Sequence, residues 1–530
     1  MKCKKLLALM ISGLMAVSLM TACGSAPDGA NDNPSVSDTS EGNEAGDIAS
    51  GETEAASDLS QQEPYTVRIM MFDDGDTDIV EEVSEAASKI TLEKFNTTVE
   101  LVRVGWGSWA QQVTLALTSG EKLDLYPAFA INIPLATLVN NGEVLPMTDY
   151  LKNGCAKETY DMVDKEDWVC TTYDGEIYGI PMNKGKQNVY GAACNADIAD
   201  ELGIDLDTVK TLDDFENVLA KVKEAHPDMY PLAVNNQALR VMIPSDTLGD
   251  DRTCVLGALV DATSGSTTVE NLYASDEYRE FVEKMYDWSQ KGYIMPEALS
   301  STESGTNLIR AGSAFADFYT GPAPDTEARI SRECGVTIKD VEFFEHYKTT
   351  GETAPCWSIA GNSEQPERAM QVLNEMYTNQ ELANIFIYGI EGKTFEFVDK
   401  ENKVIDYPEG VDAANSGYAF DHWGWPNMCL SYVWEGYPVD VYEEYITFNA
   451  GGVPSPAYGF TFDNSSVLNE VTACSNVVAK YAEALNTGSV NPNGGSGSLE
   501  QFIKELEDNG IDTIVAEKQR QLDEWLAANK

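Results

Sequence analysis

The chain has 530 residues, of which 87 are Asp or Glu and 35 are Lys or Arg, a formal net charge of −52. A polyanion of this kind repels nucleic acid and anionic lipid headgroups, so neither is expected as a partner. Hydrophobic residues make up 43% of the chain, as in soluble proteins, and the length calls for two or three domains.

The N-terminus reads as an export signal. Lys2, Lys4 and Lys5 precede an apolar run from Leu6 to Leu19, followed by Met20-Thr21-Ala22-Cys23. That run is shorter than the roughly 20 residues of a membrane-spanning helix. With Cys at the cut, the signal resembles a bacterial lipobox, with Met20 where Leu is commoner. The resemblance implies that residues 1–22 are removed and that Cys23 carries a diacylglyceryl thioether. Two acyl chains anchor stably where one does not, so a membrane-tethered protein facing outward is expected. Residues 23–64 are rich in Gly, Ala, Ser, Asp and Glu and lack Lys and Arg. They read as a disordered, self-repelling tether.

Next, β-type runs alternate with amphipathic stretches. Tyr65 to Phe72 predicts a strand, Ile79 to Phe95 a helix, Val99 to Val104 a strand, Trp109 to Leu117 a helix and Leu123 to Tyr126 a short strand. This order predicts a largely parallel sheet covered by helices on both faces. Asp174-Gly175 marks a β-hairpin. Helices are expected at about 211–225, 276–291 and 366–388, the last starting at Pro366. Residues 409–465, aromatic and Gly-rich, show no long period and read as a folded, loop-rich region beside a cleft. Two helices, about 499–509 and 512–528, close the chain around Gly510.

Several chemistries find no support. Besides Cys3 and Cys23 there are eight cysteines, without a CxxC and without a His at zinc-ligand spacing, so no metal or other cofactor is expected. Their wide spread argues for buried free thiols with at most one bridge. Asp74-Gly75-Asp76-Thr77-Asp78 lacks the Gly and distal Glu of an EF-hand. Three His and no GxSxG elbow speak against a serine hydrolase.

Asp174-Gly175-Glu176-Ile177-Tyr178-Gly179-Ile180-Pro181, Ile309-Arg310-Ala311-Gly312-Ser313-Ala314-Phe315-Ala316 and Gly361 to Ala369 resemble motifs of the family 1 extracellular solute-binding proteins. Tyr388-Gly389-Ile390-Glu391-Gly392-Lys393 and Ala516 to Trp525 are similar to a Gram-positive lipoprotein subgroup with an extra C-terminal domain of unknown function, grouped with carbohydrate uptake. The resemblance implies an α/β, two-lobed fold of the type II periplasmic-binding-protein kind. Its discontinuous lobes are joined by hinge segments near 182–192 and 340–356, and a C-terminal helical extension follows. Lobe 1 is expected from 65–183 plus about 345–400, and lobe 2 from 190–340 plus about 408–530. The implied function is capture of a sugar or oligosaccharide by a monomer that docks on ABC permease subunits. A glycoside hydrolase and a peptide receptor on the same fold remain the alternatives.

A sugar needs flat rings to stack on and carboxylates or amides around its rim, placed beyond the carboxyl ends of strands. Four places fit. Asp73 and Asp74 follow the first strand, and Trp106 and Trp109 follow the second. Asp124 and Tyr126 end the third, and Trp423, Trp425 and Asn427 lie in the aromatic region beside Asp421 and His422. The resemblance adds Tyr319. Each has a structural alternative: Trp106 packing on the next helix, one of Trp423 and Trp425 facing the core, Asp74 capping a helix. Glu391 is expected to hold the turn at Gly389.

Overall fold

The computed structural model describes residues 59–72, 79–129, 133–234, 241–321, 324–413, 415–418, 420 and 422–529. The first sheet starts with β1 (Tyr65–Phe72), β2 (Thr97–Val104) and β3 (Leu125–Ala128). β1 lies between β2 and β3, parallel to both; Cys356–Ile359, antiparallel to β3, and then Ile180–Pro181, antiparallel to Cys356–Ile359, extend the sheet. The pairing runs from Tyr65 opposite Thr97 to Phe72 opposite Val104, and Ile69 faces Leu125. Phe72, Val104 and Ala128 therefore end their strands at one level. The buried faces of β1 suit a sheet covered on both sides.

The third strand sits two residues later than expected, because Pro127, ordinarily a breaker, lies inside it. The hairpin forms as Thr172–Tyr173 against Glu176–Ile177, with positive φ at Asp174 (50°) and Gly175 (85°). The stretch 366–388 is two helices, Pro366–Thr378 and Gln380–Tyr388, parted where the Asn379 side chain accepts the Leu382 N–H and caps the second. The aromatic region holds more regular structure than its pattern suggests. Within it Val433–Trp434 joins a small sheet with Glu396–Asp399 and Val404–Asp406, which precede the region, and Val441–Gly451 is a helix. That helix buries Asn449 and exposes Ile446, which blurs its period.

Two hydrophobic cores mark two lobes. One joins residues between Val67 and Met182 to residues between Cys356 and Trp425. The other joins residues between Tyr190 and Tyr347 to residues between Val467 and Ile514. Its sheet runs Ile338–Glu342, Tyr190–Asn195, Ala314–Thr320, Tyr230–Ala233. Tyr418, Phe420 and Trp425 lie in the first core, although 408–530 was expected in lobe 2. The aromatic segment packs back onto the helices that precede it in the chain.

The chain passes between the cores through three short strands paired with one another: Gln187–Asn188 antiparallel to Tyr347–Lys348, and Val453–Pro454 parallel to it. The first two lie in the expected hinge segments; the third is additional. Lys186 and Lys348 are buried here and pair with Asp167 (2.5 Å) and Glu166 (2.5 Å) of lobe 1. Buried lysines stay charged only beside such partners, so these pairs fix where the crossing strands sit.

Candidate aromatic binding platform

At the carboxyl ends of β1, β2 and β3 the chain places rings from three turns. Phe72 ends β1, Trp106 follows β2 and Phe129 follows β3. Their centroids lie 5.0 Å (Phe72–Phe129), 5.2 Å (Phe72–Trp106) and 5.3 Å (Trp106–Phe129) apart, in edge-on arrangements favoured by ring quadrupoles. Trp423 completes the group at 5.2 Å from Phe72 and 5.8 Å from Phe129. Phe72 and Phe129 are buried, whereas Trp106 and Trp423 are half-buried. The result is a rigid floor of two phenyl rings carrying two indoles with part of their surface open.

Gly424 makes this closeness possible. A Cβ there would lie 2.3 Å from the Phe72 ring, so only glycine lets the 423–425 segment rest on it. The Trp357 Nε1–H donates to the Gly424 carbonyl (3.0 Å) and anchors the segment to the core. His422 Nε2 lies 4.0 Å from Asp325 Oδ2 of lobe 2, so this segment approaches both lobes.

The remaining expected site residues are placed otherwise. Asp73, Asp74, Asp421 and Cys23 lie outside the described residues. Asp124 precedes β3 and so lies at the amino end of the sheet. It is fully buried, accepting from Tyr65 Oη (2.8 Å), the Arg68 N–H (2.9 Å) and Ser363 Oγ (2.5 Å). Tyr126 is fully buried and donates to the Glu143 carbonyl (3.2 Å). Trp425 is fully buried, stacked on Phe386 at 5.0 Å; of the two neighbouring indoles it is the one that faces the core. Trp109 is core as well. Asn427 is buried, donating to the Tyr377 carbonyl (2.9 Å) and accepting from Asn183 Nδ2 (2.8 Å), where it ties the aromatic region to the approach to the first crossing. Glu391 is exposed and pairs with Lys400; the turn at Gly389 is held by Thr394, whose Oγ1 accepts the Ile390 N–H (2.8 Å) and donates to the Tyr388 carbonyl (2.5 Å).

Tyr319 lies on the lobe 2 sheet, its hydroxyl donating to Asp340 Oδ2 (2.9 Å). Burial, then the neighbouring Glu327 carboxylate, pushes the Asp340 carboxyl up to about 7. Asp340 also lines a groove of about 830 Å³ between the Thr326–Cys334 helix and residues 435–444. The walls of that groove carry Asp197, Glu327, Glu435 and Glu444 and no aromatic ring. It offers no ring for stacking, unlike the platform.

Phe72 and Phe129 were missed in the sequence: Phe72 reads as the last residue of a buried strand, and Phe129 lies three residues past the end of the strand expected at Leu123 to Tyr126. Their signal is positional: Phe72 ends and Phe129 follows a parallel strand at the end where open α/β sheets bind ligands.

Among the described residues no helix is long and apolar enough to cross a membrane, and no group of three or more His, Cys, Asp or Glu could hold a metal ion. The eight cysteines of the described residues are free thiols, five of them buried.

Residues 85–388 match the family model described as bacterial extracellular solute-binding protein, and residues 456–527 match a domain of unknown function. A carbohydrate ABC transporter substrate-binding protein of Streptococcus pneumoniae serotype 4 is 28% identical over 470 residues, which cover 87% of this chain and 91% of that protein. The crystal structure of the N-glycan transport solute binding protein NgtS from Streptococcus pneumoniae superposes with a TM-score of 0.76 at 24% identity, covering 88% of this chain and all of that one. The same protein in complex with Man5GlcNAc gives a TM-score of 0.67, with the same coverage and identity. These structural likenesses establish the two-lobed fold.

Proposed function

This chain belongs to the bacterial extracellular solute-binding proteins, and from that premise we propose that it captures a sugar or oligosaccharide between its lobes and hands it to the permease of an ABC importer. The observation that carries the reading is the platform. Phe72 and Phe129 hold Trp106 and Trp423 half-open at the carboxyl ends of three parallel strands, a surface suited to the apolar face of a pyranose. The carbohydrate transporter relative and the glycan-bound structure of NgtS support the same class of ligand. We further propose that Cys23 is lipidated and that residues 23–64 tether a monomeric body to the outer face of the cell membrane.

A thermal-shift panel of the soluble body against Man5GlcNAc, shorter mannosides and unrelated peptides tests the reading. A bound ligand stabilises by mass action, about 2.7 kcal/mol at a hundredfold excess over Kd. A glycan should raise Tm and emerge uncut. Stabilisation by peptides only, or recovery of a cleaved glycan, would reject it.

A further inference from the structure

The C-terminal region 456–527 has no assigned role. Its helices Leu468–Asn486, Leu499–Asp508 and Ile511–Asn529 bury Cys474, Phe502 and Ile514 in the second core. Two further sets of contacts reach beyond that packing to the hinge.

The first runs through a lobe 2 loop. Lys518, with no exposed surface, donates from Nζ to Asp250 Oδ2 (2.6 Å), the Gly257 carbonyl (2.9 Å) and the Thr247 carbonyl (3.4 Å). One ammonium thus binds both ends of loop 246–259. Gln519 fixes the stretch that follows, accepting from the Val269 N–H (2.8 Å) and donating to the Thr267 carbonyl (3.1 Å). The loop needs holding: Leu248 has φ 56°, which a branched residue rarely adopts unless its surroundings impose it. From this loop the Arg252 guanidinium donates to Thr320 Oγ1 (3.1 Å), Asn188 Oδ1 and Glu352. Asn188 is in the first crossing strand, and Glu352 follows the second by four residues.

The second set touches lobe 1. Just past the third crossing, the Tyr458 hydroxyl lies 2.6 Å from Asp167 Oδ1, to which it donates, and 3.0 Å from Thr353 Oγ1. Asp167 is the carboxylate that also holds Lys186, beside the first crossing strand. Gly459 then passes between Val169 of lobe 1 and the ring of Trp525 on the last helix. At its φ of +100° a Cβ would come within 2.8 Å of Val169 and 2.9 Å of Trp525. Leu248, Leu259, Phe460, Leu522 and Leu526 close an apolar seam behind it.

We infer that the C-terminal region is a hinge brace: Lys518 and Tyr458 let it hold the loop and the crossing strands that set the angle between the lobes. These contacts tie the C-terminal region to segments on both sides of the crossings, so rotation of the lobes has to strain them, and their loss frees it. Buried charges with several partners are costly to separate.

The test compares full-length Tyr458→Phe with wild type by hydrogen exchange and small-angle scattering, without ligand. The substitution removes one hydroxyl and keeps the ring. Exchange should rise about tenfold or more in 164–170, 184–190 and 346–352, as expected for the loss of a hydrogen bond to a charged group, and the radius of gyration should grow. Helices Leu212–Ala225 and Asp276–Gln290 should stay protected. Lys518→Met should add loop 246–259 to the exposed set; Tyr458→Phe carries the test if Lys518→Met does not fold. Lys504→Ala, which breaks an exposed pair with Asp508, should change neither measurement. Exchange unchanged at the crossings in Tyr458→Phe, or raised only within the C-terminal helices, with an unchanged radius of gyration, would overturn the proposal and leave the region as packing for lobe 2.

Discussion

The two ends of the first sheet use similar raw material to opposite effect. At the amino end Asp124 is closed in by Tyr65, Arg68 and Ser363, with every contact supplied by the protein and no exposed surface. At the carboxyl end Phe72 and Phe129 are just as buried, but they hold Trp106 and Trp423 with surface left open. A carboxylate or an indole near a strand thus says little about binding until its position along the strand is known. Under the proposed function, lost contacts cost stability at the closed end and ligand at the open end.

Substitutions can break that contrast, beginning with the largest effect. Trp425→Ala empties a fully buried site against Phe386 and should destabilise by about 3–5 kcal/mol, seen as a large fall in the denaturant midpoint. Asp124→Ala leaves Tyr65 Oη and the Arg68 N–H without their acceptor and should cost about 1–3 kcal/mol, with glycan affinity in calorimetry unchanged. Trp106→Ala should reverse that pattern: about a tenfold weaker Kd, or roughly 1.4 kcal/mol, with a smaller stability change than Trp425→Ala. If Asp124→Ala weakened binding selectively and Trp106→Ala only unfolded the protein, the two ends would have been assigned the wrong way round.

The smallest effect concerns the Tyr319–Asp340 contact on lobe 2. Burial, with Glu327 next, raises the Asp340 carboxyl to about 7, so the folded protein holds a proton there that the unfolded chain releases near pH 4. The stability this contributes is present below about pH 4 and is lost as pH rises through about 7. Glu327, held below its ordinary value by hydrogen bonds that outweigh its burial, offsets part of it. Asp340→Asn mimics the protonated form, so its Tm should match wild type near pH 4 and exceed it at pH 8. Parallel Tm profiles for the two proteins would contradict this.

Much of the framework was legible in the sequence. The periodic segments after Ile79, Thr211, Ser275 and Ser498 became helices, and the Asp-Gly pair became a hairpin. These are local signals that each segment carries in full. The shift of β3 and the break at Asn379 depend on tertiary pairing and on one side-chain cap, which periodicity does not report. The aromatic platform was half-legible. Trp106 and Trp423 stood out as aromatic residues in loops, but Trp425 and Asn427, two and four residues further on, turn inward. Gly424 and Phe72 decide that between them, and their contact spans 352 residues of sequence. The third crossing strand is two residues long and has no signal of its own.

Calorimetric titration of wild type and Trp423→Ala with Man5GlcNAc, or with whichever glycan the thermal panel selects, tests directly whether a sugar rests on the platform. Trp423→Ala should bind about tenfold more weakly or worse while keeping a cooperative unfolding transition. Equal affinity in the two proteins would mean that the sugar does not rest on these rings.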